Sequence, residues 1–313
     1  MKFSEQDASA VKAYVGTYEK QLFSTLRNSL TILNDIDLRI GVKNQLNLTK
    51  LTVKNGIRAY RQAFDASTDD LHFSGQTLSV KLLKRDMFIS PLEFRDTHMS
   101  EYMKQGVNGD DIPFAEYIST EISKKIGQEV NDNAYFAKEG DGSSAEKCFD
   151  GFGTIIEKAI TSETAVKGSG LEPIATGAIT TSNAVEKFET MLEAMPSAYI
   201  DSGFNLYCST DLWRKYQKDY RERYGKYTGP DDQGLFYLDS ALDKVQIKPC
   251  SWMKKSQRII ATPKENLLAG VDGMGDMDKM SVFFKHEVFE WRWIFALGFS
   301  IRDFEAIKVN DQA

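Results

Sequence analysis

Residues 213–227 gather the densest set of side chains able to hold a ligand. Arg214, Lys215, Lys218, Arg221, Arg223 and Lys226 stand against Asp219 and Glu222, a local excess of four positive charges. Trp213, Tyr216, Tyr220, Tyr224 and Tyr227 recur among them at steps of three and four. Cations interleaved with aromatic rings can bind single-stranded nucleic acid through phosphate contacts and base stacking. The same spacing puts the rings on one side of a helix, where packing or a subunit contact is the simpler use. The balance of the whole chain favours packing: 39 Lys and Arg against 45 Asp and Glu give a net charge of -6, with no wider basic stripe.

Asp272, Asp276 and Asp278 form the second cluster. Their oxygens could hold a divalent cation, but no Glu closes the segment as it would an EF-hand loop, and a solvated acidic turn is the plainer reading. Gly273-Met274-Gly275 beside them lacks the third glycine and the following helix of a dinucleotide fingerprint. Cys148, Cys208 and Cys250 are odd in number and widely spaced, which fits neither a disulfide framework nor a zinc site. His72, His98 and His286 are equally scattered. With no P-loop, HExxH, GxSxG or CxxC pattern either, neither cofactor nor catalytic activity is expected.

A third group of charges lies on extended segments: Lys54 and Arg58 on one, Lys81, Lys84 and Arg85 on the next. Such charges commonly guard an edge strand against uncontrolled strand addition. The sharper reading pairs them with acids of a neighbouring subunit. Arg214, Lys218 and Arg221 join them as candidate inter-subunit contacts.

The elements that position these residues are mixed. Val11, Tyr14, Val15, Tyr18, Leu22, Leu26 and Leu30 form one helical stripe. Leu46, Leu48, Leu51 and Val53 read as strand, residues 55–75 are polar, and residues 77–94 are again extended, with Leu78, Val80 and Leu82 alternating against polar neighbours. Two extended segments flanking about twenty polar residues predict a long projecting hairpin, since a structureless insertion of that length is unusual in a compact domain. Asp110, Asp111 and Pro113 open the clearest helix, over 112–137, with Ile118, Ile122, Ile126, Val130 and Ala134 in a four-residue row. Beyond Asp150-Gly151-Phe152-Gly153 come a short helix at 154–160, a Gly/Ser/Thr/Ala-rich loop at 162–181, and a helix opened by Asn183 with Glu186 at capping-box spacing. Phe204, Leu206 and Cys208 alternate as a strand, and Ser209-Thr210-Asp211 offers caps for a helix over 212–224. Residues 258–261 read as strand. Thr262-Pro263-Lys264-Glu265 has the cap, first-turn proline and returning Glu of a helix start, with Gly270 placed to close it. Phe289, Trp291, Trp293, Phe295 and Leu297 alternate with Glu290, Arg292, Ile294 and Ala296 over a long strand. Strands and helices without regular βαβ alternation give an α+β class. The strongest apolar run, 293–299, is far below the roughly 18–20 residues of a membrane span, and the polar, acidic start of the chain carries no secretory signal.

The order of these parts resembles the major capsid proteins of tailed bacteriophages, with the Hong Kong 97-type fold. The resemblance covers nearly the whole chain and rests on residues 116–136 with the Gly151 turn, residues 205–216, and the stretch 259–307 containing Thr262-Pro263-Lys264-Glu265-Asn266-Leu267 and Gly298-Phe299-Ser300-Ile301. It implies an N-arm over 1–47, an extended loop over 48–95, a peripheral domain over 96–147 and 276–303 with the long helix as its spine, and an axial domain over 148–275 and 304–313. It further implies hexamers and pentamers of the chain in an icosahedral shell around a double-stranded DNA genome, with the protein in the virion after assembly in the host cytoplasm. Scaffolding, portal and decoration proteins are the implied partners; DNA would be contacted weakly by an acidic subunit, and no membrane is involved. A large fused scaffold is not expected, because only about 47 residues precede the loop. Some members of the family link loop lysines to asparagines of adjacent subunits; Lys81 or Lys84 would be the donors, but no acceptor is identifiable and no cross-link is expected. The same layout fits an encapsulin-like compartment for protein cargo, and two readings from other classes rest on single segments: a nucleic-acid-binding protein using residues 213–227 and a metal-dependent enzyme using the acidic turn.

Overall fold

The computed structural model describes residues 30–53, 62, 71–90, 113–161, 171–225, 238, 244–272, 279–285 and 288–312. The expected N-terminal helix over 11–30 lies essentially outside them. The chain divides into two compact units, one of residues 1–44, 80–151 and 269–298, the other of residues 45–79, 152–268 and 299–313.

In the first unit, α1 (Pro113–Asn133) carries the four-residue row, and Ile118, Ile122, Ile126, Val130 and Ala134 are all buried. The helix is 21 residues long and stops four residues short of the expected end. At its end Asn133 Nδ2 donates to Glu129 O at 2.8 Å, and the Asn133 carbonyl accepts from Ala137 N at 3.0 Å. The turn Thr31–Asn34 packs on α1. Gly151 then brings the chain within contact distance of the α1 exit. A Cβ there would lie 2.6 Å from Tyr135 O and 2.7 Å from Ala134 O, so only glycine fits.

The sheet of this unit contains β1 (Asp37–Ile40), β8 (Leu267–Val271), β10 (Val288–Ile301) and β4 (Lys81–Ile89) in that order, with β9 (Lys279–Lys285) also paired to β10. The alternation seen in sequence holds through Phe289, Trp291 and Trp293, which are buried; beyond them Phe295 is half-buried and residues 296–301 are buried on both faces. Residues 289–294 of β10 are paired antiparallel to β4 on one side and to β9 on the other.

The second unit is built on a four-stranded sheet, order β11 (Lys308–Val309), β7 (Ile260–Thr262), β5 (Phe204–Ser209) and β6 (Val245–Cys250). β5 and β6 are parallel; β7 and β11 are antiparallel to their neighbours. On one face Leu206, Cys208, Val245, Ile247, Ile259 and Ala261 form a core with α3 (Ala184–Glu193) and α5 (Thr210–Tyr224). A second aromatic group joins Phe152, at the start of α2 (Phe152–Thr161), to Trp252 and Phe299 at centroid distances of 5.8 and 5.1 Å. The short α4 (Ser197–Ser202) leads into β5.

Three local expectations are corrected. Asn183 stands at the N-cap of α3 without capping it; its Oδ1 accepts from Thr180 N at 2.7 Å and its Nδ2 donates to Ala178 O at 3.1 Å. The cap comes from another helix, since Val185 N donates to Asp219 Oδ2 of α5 at 2.8 Å. Thr262–Glu265 opens no α-helix: one 3-10 turn, Lys264–Asn266, is followed directly by β8, with Gly270 inside the strand. Thr262 Oγ1 donates to Ala306 O at 3.0 Å, and the buried Asn266 donates to Thr262 Oγ1 and Asp303 O and accepts from Asp303 N. Long-range partners in the C-terminal segment outcompete the local cap. Finally, residues 77–89, the strand part of the expected 77–94 segment that lies within the described residues, are not one hairpin arm.

Candidate subunit interface

The predicted hairpin exists, with a shifted second strand. β2 (Gln45–Val53) pairs antiparallel with β3 (Leu71–Ser79), from Gln45 opposite Ser79 to Val53 opposite Leu71. The chain switches sheets at Val80, whose N donates to Asn44 O at 2.8 Å and closes the base of the hairpin. Lys81, Lys84 and Arg85 therefore belong to β4 and the first unit's sheet, facing Leu297, Ile294 and Trp293 across the ladder. A polarity reading could not see this switch, because both strands are extended and both alternate. Lys54 and Arg58 lie outside the described residues.

A two-stranded ribbon is marginal in water by itself. Leu78 at its base is fully buried, but Leu46 and Leu51 are exposed. One ionic clasp ties the ribbon to its own unit. Lys50 Nζ lies 2.6 Å from both Asp303 Oδ2 and Glu305 Oε2. Partial burial works against the Lys50 charge, yet the two carboxylates prevail and hold its pKa above the ordinary lysine value. Ser300 Oγ adds a long 3.4 Å hydrogen bond to Thr77 O. Lys50 drew no notice in sequence, since its partners are more than 250 positions away.

β4 ends the order of the five-stranded sheet. Its even-numbered residues share one face with even-numbered residues of β10, because directly opposed residues of an antiparallel pair point the same way. Phe88, Glu290 and Phe283 form one row across β4, β10 and β9. Phe88 is 78% exposed, Leu82 58% and Phe283 50%. Between them lies a charged band: Asp86 accepts from Arg292 Nε at 2.8 Å and from Lys84 Nζ at 2.9 Å. Hydrogen bonds from Lys84 and then Arg292 hold the Asp86 carboxyl below its ordinary value. Lys81 Nζ pairs with Glu139 Oε1 at 2.6 Å. Lys81 and Lys84 are thus engaged within their own unit, while Leu82, Phe88 and Phe283 face solvent. Sequence reasoning missed Leu82, Phe88 and Phe283; the alternation of β10 was the signal, once its cross-strand register is known.

Residues 213–224 of the basic and aromatic segment lie in α5, where the buried rings pack, while Lys226 and Tyr227 lie outside the described residues. Ser209 Oγ caps the helix by accepting from Leu212 N at 3.3 Å, and Gly225 ends it at φ +65. Trp213 and Tyr216 are buried and stacked at 5.5 Å, Tyr216 contacts Phe188 of α3 at 5.0 Å, and Tyr220 and Tyr224 continue the ladder. The buried Trp213 and Tyr216 are closed to stacking bases, whereas Tyr224 is 59% exposed. Several cations are also engaged: Lys215 Nζ donates to Ile179 O and Gln257 Oε1, and Arg223 to Asp219 Oδ1 and Ser182 O. Arg214, Lys218 and Arg221 face solvent, with Arg214–Asp211 and Lys218–Glu222 pairs at a loose 3.8 Å and Arg221 Nε donating to Gln217 O at 3.3 Å.

Asp272 is buried just after β8, while Asp276 and Asp278 lie outside the described residues. Among the described residues no group of three His, Cys, Asp or Glu could hold a metal. Cys208 and Cys250 are buried, and burial pushes the Cys208 thiol pKa up. Among the described residues no helix is long and apolar enough to cross a membrane.

No protein-family model and no curated protein matches the chain. Solved structures do match. The capsid of the native GTA particle is 14% identical with a TM-score of 0.57, over 90% of this chain and 89% of that one. The capsid of Myoviridae phage XM1 is 11% identical with a TM-score of 0.55, over 90% and 91%. A chain of the satellite phage P4 procapsid is 12% identical with a TM-score of 0.54, over 93% and 90%. The chain thus has the α+β fold of phage capsid subunits, as its sequence layout led us to expect.

Proposed function

We propose that this chain is a major capsid protein, which self-assembles through capsomers into the icosahedral shell of a phage virion. The observation that carries the reading is the capsid-subunit fold, matched over about nine-tenths of both chains. Two features of the subunit support it. A nine-residue-per-strand hairpin leaves Leu46 and Leu51 in water, and the β4–β10–β9 face leaves Leu82, Phe88 and Phe283 in water. Neighbouring copies would cover both. Ring contacts of this kind are heterologous, joining different patches head to tail. Many weak contacts then give a stable closed body through multivalency.

In this reading residues 1–47 serve as the N-arm and 48–95 as the loop laid over a neighbour. Residues 96–147 and 276–303 form the peripheral domain, and 148–275 and 304–313 the axial domain. Lys54, Arg58, Lys81, Lys84, Arg85, Arg214, Lys218 and Arg221 form the polar rim of contacts between copies. Scaffolding, portal and decoration proteins are its further partners, and the packaged DNA is touched only weakly by a subunit of net charge -6. The role is structural rather than catalytic. Electron microscopy of the purified chain, with and without proteins co-expressed from the same genome, tests this: closed shells are the expected product, and a chain that stays dispersed in both conditions refutes it.

A further inference from the structure

Two stripes of opposite charge lie on the helical layer of the second unit. On α5, Arg214, Lys218 and Arg221 are exposed, at steps of four and three. On α3, Glu186 and Glu193 are exposed and Glu189 is half-buried, at steps of three and four. Read in opposite directions the two sets have the same spacing. In an antiparallel pair of helices Arg221 therefore stands level with Glu186, Lys218 with Glu189 and Arg214 with Glu193. Each stripe runs about 10 Å along its axis, at roughly 1.5 Å per residue.

The two helices are antiparallel neighbours within the subunit: Val185 N donates to Asp219 Oδ2 at 2.8 Å, and Phe188 packs on Tyr216 at 5.0 Å. The stripes do not meet there. Tyr216, Asp219 and Arg223 form the side of α5 that meets α3 and the chain just before it. At about 100° per residue, Arg214, Lys218 and Arg221 lie roughly half a turn round, on the far flank. Glu186, Glu189 and Glu193 likewise point away from the buried Phe188, Met191 and Leu192. Inside the subunit these charges are poorly served. Arg214 and Lys218 have loose 3.8 Å pairs with Asp211 and Glu222, and Glu186 a 3.5 Å pair with its neighbour Lys187. Among the described residues no hydrogen bond or ion pair engages the carboxylates of Glu189 and Glu193. Like charges three and four apart repel on a helix, and Glu193 ends α3, where the helix dipole disfavours an acid. Both stripes are thus unfavourable in the isolated subunit.

We infer that α5 of one copy docks antiparallel against α3 of the next, with Arg221, Lys218 and Arg214 opposite Glu186, Glu189 and Glu193. The occupant is a second copy of this chain because that copy's α3 carries the stripe of matching charge and spacing. A nucleic acid would use the basic stripe and leave the acidic one unexplained. Unlike patches on two flanks of one helical layer join copies head to tail, the heterologous contact that closes rings. The inference rests on the shell-subunit reading, in which the three cations are contacts between copies, and adds their partners. Exposed ion pairs are individually weak and screened by salt, so the contact acts through its three pairs and its repetition at every subunit.

The test has two arms, both on the full chain. In the first, light and isotopically heavy wild-type subunits are mixed, assembled and treated with a zero-length carbodiimide, which joins a lysine amine to a carboxylate in contact with it. The expected product is a link from Lys218 to Glu189 or Glu186 with one light and one heavy partner. Assembled particles without that link, or with it only between like labels, overturn the inference and leave the shell reading intact. Wild type that never assembles overturns both. In the second arm, one variant combines Arg214→Glu, Lys218→Glu and Arg221→Glu, and another combines Glu186→Lys, Glu189→Lys and Glu193→Lys. Each should raise the assembly threshold seen by light scattering at least about tenfold, although they move the net charge in opposite directions. A chain carrying all six substitutions keeps the net charge of -6 and exchanges the stripes, and it should recover most of the loss. Single-stripe variants that assemble like wild type, or a six-substitution chain that melts like wild type without recovering assembly, overturn the inference. So does binding of a short single-stranded oligonucleotide that the α5 variant abolishes, which would assign that stripe to nucleic acid.

Discussion

Phe88 offers the sharpest separation between stability and assembly. It is 78% exposed on the last strand of the five-stranded sheet, in a row with Phe283 that is 50% exposed. Complete burial of a phenylalanine stabilises by roughly 1.5–3 kcal/mol. About three-quarters of that surface is still available to a partner, so a neighbouring subunit gains roughly 1–2 kcal/mol by covering it. Phe88→Thr removes most of this gain and puts a β-branched residue, itself favoured in strands, in its place. Within the subunit little is lost, because surface substitutions away from special features usually stay within about 0.5 kcal/mol. In a shell every subunit uses the contact, so the loss applies once per subunit added. At about 1.4 kcal/mol per factor of ten, the protein concentration needed for assembly should rise about tenfold. Sedimentation velocity across a concentration series gives that threshold, and differential scanning fluorimetry gives Tm. A threshold unchanged by Phe88→Thr, with Tm also unchanged, would show that this face is not used between copies and would remove it from the account.

Three further outcomes follow from single residues. Gly151→Ala should lower subunit stability by about 2–4 kcal/mol in urea unfolding, because its Cβ would sit 2.6–2.7 Å from two main-chain carbonyls that cannot swing aside. Asp219→Ala should cost about 2–3 kcal/mol, since the buried Val185 N loses its acceptor and α3 its cap, while Asp219→Asn keeps an acceptor and should cost clearly less by the same unfolding assay. Acid should weaken the subunit gradually. Asp86, hydrogen-bonded first by Lys84 and then by Arg292, and Asp311, held by Gln312 and then by Thr176 and Gly177, both have carboxyl pKa values lowered in the fold. A lowered folded pKa gives stability that is complete above the ordinary value of 3.8 and fades as pH falls through the folded values, so urea midpoints should hold down to about pH 5 and then decline. Replacing Asp86 and Asp311 by Asn should flatten that decline.

The parts legible in sequence are those whose partners are local. The row Ile118–Ala134 marked α1, the alternation through Trp291 and Trp293 marked β10, and Ser209 before a helical pattern marked the start of α5. Gly151 was visible as a turn, though not as a position where main-chain carbonyls exclude a side chain. What sequence could not show depends on distant residues. Asn183 looked like a cap, but the α3 amide found Asp219 on another helix. Thr262–Glu265 looked like a helix start, but Thr262 and Asn266 bind the chain at 303–306. The break at Val80 was hidden because one strand passes into another with no change of polarity. For the interface, charge drew attention to Lys81 and Lys84, which are paired in their own unit, whereas the cross-strand register singles out the uncharged Leu82, Phe88 and Phe283.

The central claim is that copies of this chain tile a closed surface, and the direct measurement is the mass and image of what the purified chain forms as concentration rises. Analytical ultracentrifugation with electron microscopy should show free subunits or capsomers giving way, above a threshold, to uniform closed shells whose formation Phe88→Thr shifts to higher concentration. A chain that sediments as a monomer at every concentration, with its hairpin and sheet face as protected from hydrogen exchange as its core, would contradict it.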